Sequence, residues 1–443
     1  RDEASAKKMV LPHRLADELG LRAGTTRLRI GQSEASAQVE LSKQDSRPQR
    51  LFLSSDLINS LHVSPEDYLY MWWDKNDNSL RVGPVLGVMG SRRSKTGGVF
   101  GPTTEIIRNC VCLARRRGML AYAFSPGDID WESKSVRGWV WTGAALRMMR
   151  CPLPDIVYDR VASRRSETSK RMTAAKESLL SIANLQYYNR VFLNKWDVHK
   201  MLELYPKLQK HLPPTQELVS PKNLEIFLKK HSVVFVKPTQ GSLGAGILRI
   251  ARSSKGFVYR LTRLNQPDSR GRAATMAGMI EVAERLLKQD QYVVQRGIRL
   301  AHINGAPFDI RVLLQKSKRN HWTVQSMVAR VAQPGNVISN LADGGQIINP
   351  RRAIAAVFGP SIKPSLMTLR IRRIAKAAAL AIEKEIGFEF AEMGMDLAVD
   401  TSAKIWIIEA NSRPGRQTNE TAQRRVSMSV VRLVRFLRSR GLQ

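Results

Sequence analysis

Two stretches of this chain carry side chains that could do chemistry together. Between residues 232 and 250 the sequence runs Ser-Val-Val-Phe-Val-Lys-Pro-Thr-Gln-Gly-Ser-Leu-Gly-Ala-Gly-Ile-Leu-Arg-Ile. Residues 233–236 are a β-branched and aromatic run of strand character, ending on the lone cation Lys237 and on Pro238, which cannot continue a central strand. Gly241, Ser242, Leu243, Gly244, Ala245 and Gly246 follow, and then a second apolar run over 247–250. The pattern is strand, flexible loop, strand. Glycines let backbone N–H groups converge on an anion, and Lys237 sits where it can reach the same phosphates. Neither better-known phosphate loop fits. A Walker A loop needs Lys-Ser or Lys-Thr after its last glycine and a helix beyond it, and the dinucleotide fingerprint also opens a helix. An ordinary glycine-rich hairpin is the competing reading.

The second stretch pairs residues 395–400, Met-Asp-Leu-Ala-Val-Asp, with 405–411, Ile-Trp-Ile-Ile-Glu-Ala-Asn. A turn centred at Ser402 and Ala403 sets Asp396 opposite Glu409, and strand alternation puts Glu409 and Asn411 on one face. Two carboxylates and an amide oxygen converging this way suit Mg2+, a hard ion that also binds substrate phosphates. Glu409 follows an apolar run that reads as buried, where an unpaired carboxylate is costly, so a metal or cation partner is expected. The plainer alternative is a surface hairpin with ordinary acids.

The elements that must position these residues are legible in outline. A chain of 443 residues with 43% hydrophobic content has room for about two to four soluble domains. No apolar run approaches the ~18 residues of a membrane span, and no secretory signal follows Arg1. Cys110, Cys112 and Cys151 make a poor disulfide framework, so a reducing, cytoplasmic setting is expected. Lys and Arg number 71 against 38 acids, a formal charge of +33, which favours polyanionic partners, whether nucleic acid, an acidic polymer or peptide, or an anionic surface. The cations are scattered and no nucleic-acid-binding signature accompanies them. A generally basic surface is therefore favoured over a specific nucleic-acid site.

Residues 1–83 form a small β-rich domain of two similar halves, each a short helix followed by alternating strands. Residues 84–190 alternate strands and helices as in a parallel α/β layer, with strands at 85–89, 119–124, 139–142 and 155–158 and helices at 104–117 and 166–181. Residues 191–443 hold both chemical stretches, with a glycine-loop part at about 212–295 and a metal-site part at about 296–443. Helices are expected at 196–204, 273–289, 366–387 and 420–440, and the strand 308–315 is expected to pair with 322–332.

Taken together, Lys237 with its glycine loop, Phe308-Asp-Ile-Arg311, Arg330 followed by Asn340-Leu-Ala-Asp-Gly-Gly345, and Asp396 followed by Glu409-Ala-Asn411-Ser-Arg-Pro-Gly415 occur in a familiar order. The chain resembles the ATP-grasp superfamily, and most of all its YheC/YheD branch of endospore coat-associated proteins, related to glutathione synthetase and RimK-type ligases. The superfamily motifs span 195–415. The branch resemblance extends to Gly83-Pro84-Val85 and to residues 154–160. It implies an α/β (α+β) ATP-grasp fold behind the two preceding domains.

The resemblance also implies roles. Lys195 and Lys237 would hold the α- and β-phosphates, and the loop from Gly241 through Ser242, Leu243, Gly244, Ala245 and Gly246 would fold over the β- and γ-phosphates. Gln295, Arg296, Gly297 and Ile298 would form the linker that reads adenine, with Asp309 making a ribose or ordering contact. Arg311 and Arg330 would neutralise the transferring phosphoryl group, with a structural ion pair as the alternative. Asp396, Glu409 and Asn411 would carry one or two Mg2+, or Mn2+ in its place, and Asn340 would flank the acceptor. One departure stands: relatives usually show an acid near the hinge for the ribose, where this chain has Gln-Arg-Gly-Ile-Arg-Leu. The expected reaction is MgATP-dependent carboxylate–amine ligation, or ligation to a thiol or hydroxyl, through an acyl phosphate, in spore coat or envelope metabolism. The rival expectation is a coat or assembly protein that keeps the fold and binds nucleotide or a polyanion without turnover.

Overall fold

The structure, a computed structural model, describes residues 7–43, 50–63, 68–92, 98–241, 245–263, 266–287, 291–333, 345–415, 431–440 and Leu442. The chain divides into two compact units: Arg1–Arg190 with Ser317–Asn320 and Gly415–Gln443, and Val191–Lys316 with His321–Pro414.

The first unit holds two sheets. In residues 8–42 and again in 52–83 the order is strand, helix, strand, strand, and the two passes share one six-stranded sheet. Their helices, His13–Leu19 and Ser55–Leu61, bury Leu15, Leu57 and Leu61 against it. In the seven-stranded second sheet, Leu120–Phe124, Val85–Met89, Ile156–Asp159 and Gln186–Tyr188 lie side by side and parallel. Val85–Met89 is buried along its whole length, as a central parallel strand covered on both faces must be. The single helix expected over 166–181 is two, Arg164–Glu167 and Lys170–Leu180. Between them the Thr168 hydroxyl donates to the Arg164 carbonyl and the Ser169 hydroxyl to that of Ser166, local bonds that compete with helix continuation. Residues 431–440 are helical and belong to this unit, whereas the sequence reading runs the third domain to 443. Leu433, Val434, Phe436 and Leu437 are fully buried there, and Phe436 packs edge-on against Tyr188 at 5.3 Å.

The second unit also has two sheets. One is six-stranded and antiparallel throughout, in the order Thr215–Glu217, Tyr292–Arg296, Val233–Pro238, Leu248–Ser253, Gly256–Leu261, Ser269–Ala273. Its Val234, Val236, Leu248 and Ile250 pack with Leu224, Phe227 and Leu228 of helix Pro221–Lys230 and with Met279 and Ala283 of helix Met276–Leu286. The helix expected from 273 begins three residues later because Thr275 caps it, accepting from the Gly278 N–H at 3.1 Å, while Ala273 closes a strand.

The other sheet runs Gln346–Ile348, Trp322–Val331, Ala306–Lys316, Glu392–Val399, Ile405–Asn411. Helix Pro364–Ile386 backs it with Ile371, Ala375, Ala378 and Ile382, ending at Gly387 in the left-handed conformation that glycine adopts without strain. Among the described residues no helix is long and apolar enough to cross a membrane, and the three cysteines are unbridged.

Candidate functional site

Lys237 projects from an inner strand of the antiparallel sheet. Its Nζ donates to Gln295 Oε1 at 2.6 Å on the adjacent strand, and Gln295 Nε2 donates in turn to Thr215 Oγ1 at 2.9 Å. Among the described residues no carboxylate is paired with this ammonium. Burial, reinforced by the like charge of Lys195 and only partly opposed by Glu409, pulls its pKa down to about 8.

Lys195 is the first residue of helix Lys195–Glu203, whose start is fixed by Asn194 accepting from the Trp196 and Asp197 N–H groups. The Lys195 backbone N–H donates to the Thr239 carbonyl at 3.0 Å, and its Nζ donates to the Gly241 carbonyl at 2.6 Å. The same Nζ lies 3.5 Å from Glu409 Oε1. One cation thus bridges the edge of the glycine loop and the acidic hairpin. A cleft lined by Lys195, His199, Thr215, Lys237, Gln295 and Glu409, with Val198, Leu202, Leu212, Val293 and Ile407 as apolar wall, joins them.

The hairpin pairs as the carboxylate reading requires, by an unexpected route. Val399 faces Ile405 and Leu397 faces Ile407, a register that in regular continuation would set Ile408 opposite Asp396. Ile408 is instead an extra, bulged residue, so Asp396 faces Glu409 and Gly394 faces Asn411. Glu409 keeps 27% side-chain exposure rather than being buried, and Lys195 is its cation partner.

Arg311 and Arg330 interlock with acids across the strands. Arg311 grips Asp396 through Nε to Oδ1 and through Nη2 to Oδ2 at 2.9 Å. Arg330 holds Asp309 with Nε to Oδ1 at 2.6 Å and also reaches Asp396 Oδ2 at 3.2 Å. Burial alone would raise the Asp396 pKa, but the two guanidiniums outweigh it and hold the carboxyl below its ordinary range. Burial likewise works against Arg330, and Asp396 and Asp309 reverse it, fixing that guanidinium as charged. Asp309 is thus ion-paired with Arg330, and both arginines are paired with acids across the strands. Among the described residues no three His, Cys, Asp or Glu side chains are grouped as a metal-ligand set. Asp396, Glu409 and Asn411 nonetheless supply only oxygen donors, the chemistry a hard divalent ion takes.

In the hinge, the Arg296 N–H donates to the Pro214 carbonyl and the Gly297 N–H to that of Val233, while the Ile298 N–H has no partner among the described residues. The Arg296 guanidinium lies 5.5 Å from the Trp406 ring centroid. Gly246 has φ of 73° and its N–H donates to the Thr262 carbonyl, anchoring the far end of the glycine loop beside Ala245. Ser242, Leu243, Gly244 and Asn340 lie outside the described residues. The sequence reading missed Thr215 and His199. His199 stacks on Trp196 at 5.6 Å, and its four-residue spacing from Lys195 on one helix face was the available signal.

Residues 184–439 match the family described as YheC/D-like ATP-grasp. The chain is similar to the endospore coat-associated protein YheD of Bacillus subtilis (strain 168), 25% identical over 372 residues that cover 83% of this chain and 80% of YheD. It is also similar to YheC of the same organism, at 21% identity over 68% of this chain and 82% of YheC. Among solved structures, D-cycloserine synthetase DcsG aligns with a TM-score of 0.46 at 13% identity, covering 79% of this chain and 99% of that one.

Proposed function

The chain belongs to the YheC/D-like ATP-grasp family, and from that premise we propose that it is an ATP-dependent ligase that activates a carboxylate with MgATP and joins it to an amine or similar acceptor. The observation that carries the reading is the cationic seat of Lys237 and Lys195. A largely desolvated ammonium with no carboxylate partner among the described residues, beside a second ammonium, is stabilised by a polyphosphate. The adenine would lie against the apolar wall of the cleft, with the Ile298 N–H as donor to its edge.

Asp396, Glu409 and Asn411 would hold Mg2+, which when bound supplies charge neutralisation along the phosphates. Arg311 and Arg330 are already held in place by Asp396 and Asp309, so they would meet the developing phosphoryl charge without reorganising. The substrate carboxylate then attacks the γ-phosphorus with departure of ADP. The acceptor attacks the resulting acyl phosphate, releasing phosphate and a proton, and no protein nucleophile is required.

The test is phosphate release from MgATP with pooled carboxylates and amines, compared with Glu409→Ala. Turnover that falls at least ~100-fold in the variant supports the ligase, at the scale set by losing a charged transition-state contact. MgATP binding without turnover under any substrate pool would favour the second reading, a nucleotide- or polyanion-binding assembly protein of the kind the name endospore coat-associated suggests for YheD. The charge of +33 is what favours that reading.

A further inference from the structure

Register fixes which side chains share the cleft-side face of the six-stranded sheet. Thr215 stands opposite Gln295, Gln295 opposite Phe235, Phe235 opposite Arg249, Arg249 opposite Arg260, and Arg260 opposite Arg270. Directly opposed residues lie on one face, so these six form a row across the sheet. Lys237 shares that face, its Nζ 5.4 Å from the Phe235 ring centroid. The alternating Val234, Val236, Leu248 and Ile250 are wholly buried on the other side.

Guanidiniums opposed across neighbouring strands repel one another. Asp268 pairs with Arg260, but half-buried Arg249 has no acidic partner among the described residues. Burial, and then the charge of Arg260, pull its pKa down. Arg270 is exposed at the outer end of the row. With strands roughly 4.8 Å apart, Arg249 and Arg270 are separated by about 10 Å at the backbone. A single carboxylate does not bridge that span, whereas acids spaced along an extended chain do.

We propose that Arg249, Arg260 and Arg270 form a subsite, continuous with the lysine face, for a substrate chain bearing several carboxylates. The inference rests on the ligase reading, because it makes the acidic chain a reactant. Beyond the Arg260–Asp268 pair, guanidiniums opposed in this row repel one another, and planar forks pair with carboxylates in two-point fashion.

The experiment measures binding of a hexa-aspartate peptide and, separately, of MgADP to the full chain, its Arg249→Gln/Arg270→Gln double variant and an Arg249→Lys/Arg270→Lys control. The expected result is a roughly 10-fold loss of peptide affinity in the Gln variant, partial recovery with Lys, and MgADP affinity unchanged within about 2-fold. The melting temperature of the Gln variant should hold or rise, since like-charge repulsion is relieved. Peptide affinity that is absent in the parent or unmoved in the variant overturns the proposal. So does an equal loss of MgADP affinity, or a single-stranded oligonucleotide that displaces the peptide with the same arginine dependence. Arginine-dependent peptide binding by a chain that fails to bind MgADP would keep the subsite and defeat the ligase reading instead.

Discussion

Lys237 concentrates the chemistry of the site in one atom. With a folded value of about 8 against the ordinary 10.5, its ammonium works against the nucleotide-free fold at neutral pH. Between those two values the folded chain sheds a proton that the unfolded chain keeps, so stability rises with pH across that window. A bound polyphosphate favours the charged form, so at pH 8.5 MgADP binding should draw a proton onto the protein. Calorimetry in buffers of different ionisation heat should show that uptake, and Lys237→Met should abolish it while weakening binding; uptake that persists in the variant would remove Lys237 from the phosphate seat. The opposite sign holds at Asp396, whose contribution is present above its unfolded value and lost as pH falls through its depressed folded one. Lys237 and Glu409 stand out in the sequence as isolated charges beside apolar strand residues, whereas Arg311 and Arg330 are singled out only through the family resemblance. Which partner each takes was not legible. That Asp396 meets two guanidiniums and Lys237 meets an amide depends on strand register, and a charge pattern does not encode register.

At the scale of elements, the hairpin shows where reading by period succeeds and where it fails. Alternation set Asp396 against Glu409, yet the loop is tighter than a turn centred on 402 and 403 allows, and the bulge at Ile408 restores the pairing. Nothing in Ile-Trp-Ile-Ile announces a bulge, since any of its residues could have been the extra one. The strands Gly256–Leu261 and Ser269–Ala273 are hidden for a related reason: three arginines and two glycines in their sequences mask the alternation that their buried Phe257, Leu261 and Ala273 carry. The hinge offers a prediction at this scale. A Cβ on Gly297 would fall 2.5 Å from Val233 Cγ1 and 3.0 Å from the Val233 carbonyl oxygen, so the linker cannot take alanine without moving away from the lysine strand. Gly297→Ala should destabilise the protein by about 1–3 kcal/mol in chemical denaturation and weaken MgADP binding as well. An alanine variant with both properties intact would show that the strand yields.

For the molecule as a whole, composition spoke to charge and size but not to connectivity. The apolar positions of the basic C-terminal helix were visible, but the surface that receives Leu433, Val434, Phe436 and Leu437 lies some hundreds of residues earlier in sequence, beyond the reach of local patterning. Each of those side chains stabilises by about 1.5–3 kcal/mol when fully buried. Truncation after Pro414 should therefore lower the melting transition of the first unit or drive the chain into aggregates, and a shortened protein with the parent melting profile would contradict the packing described. The wider consequence concerns synthesis. Because 191–414, apart from 317–320, sits as an insert between 1–190 and the returning helix, a nascent chain emerging from the ribosome can finish the inserted unit while its host still lacks a wall. The host stays open to chaperones until that final helix arrives.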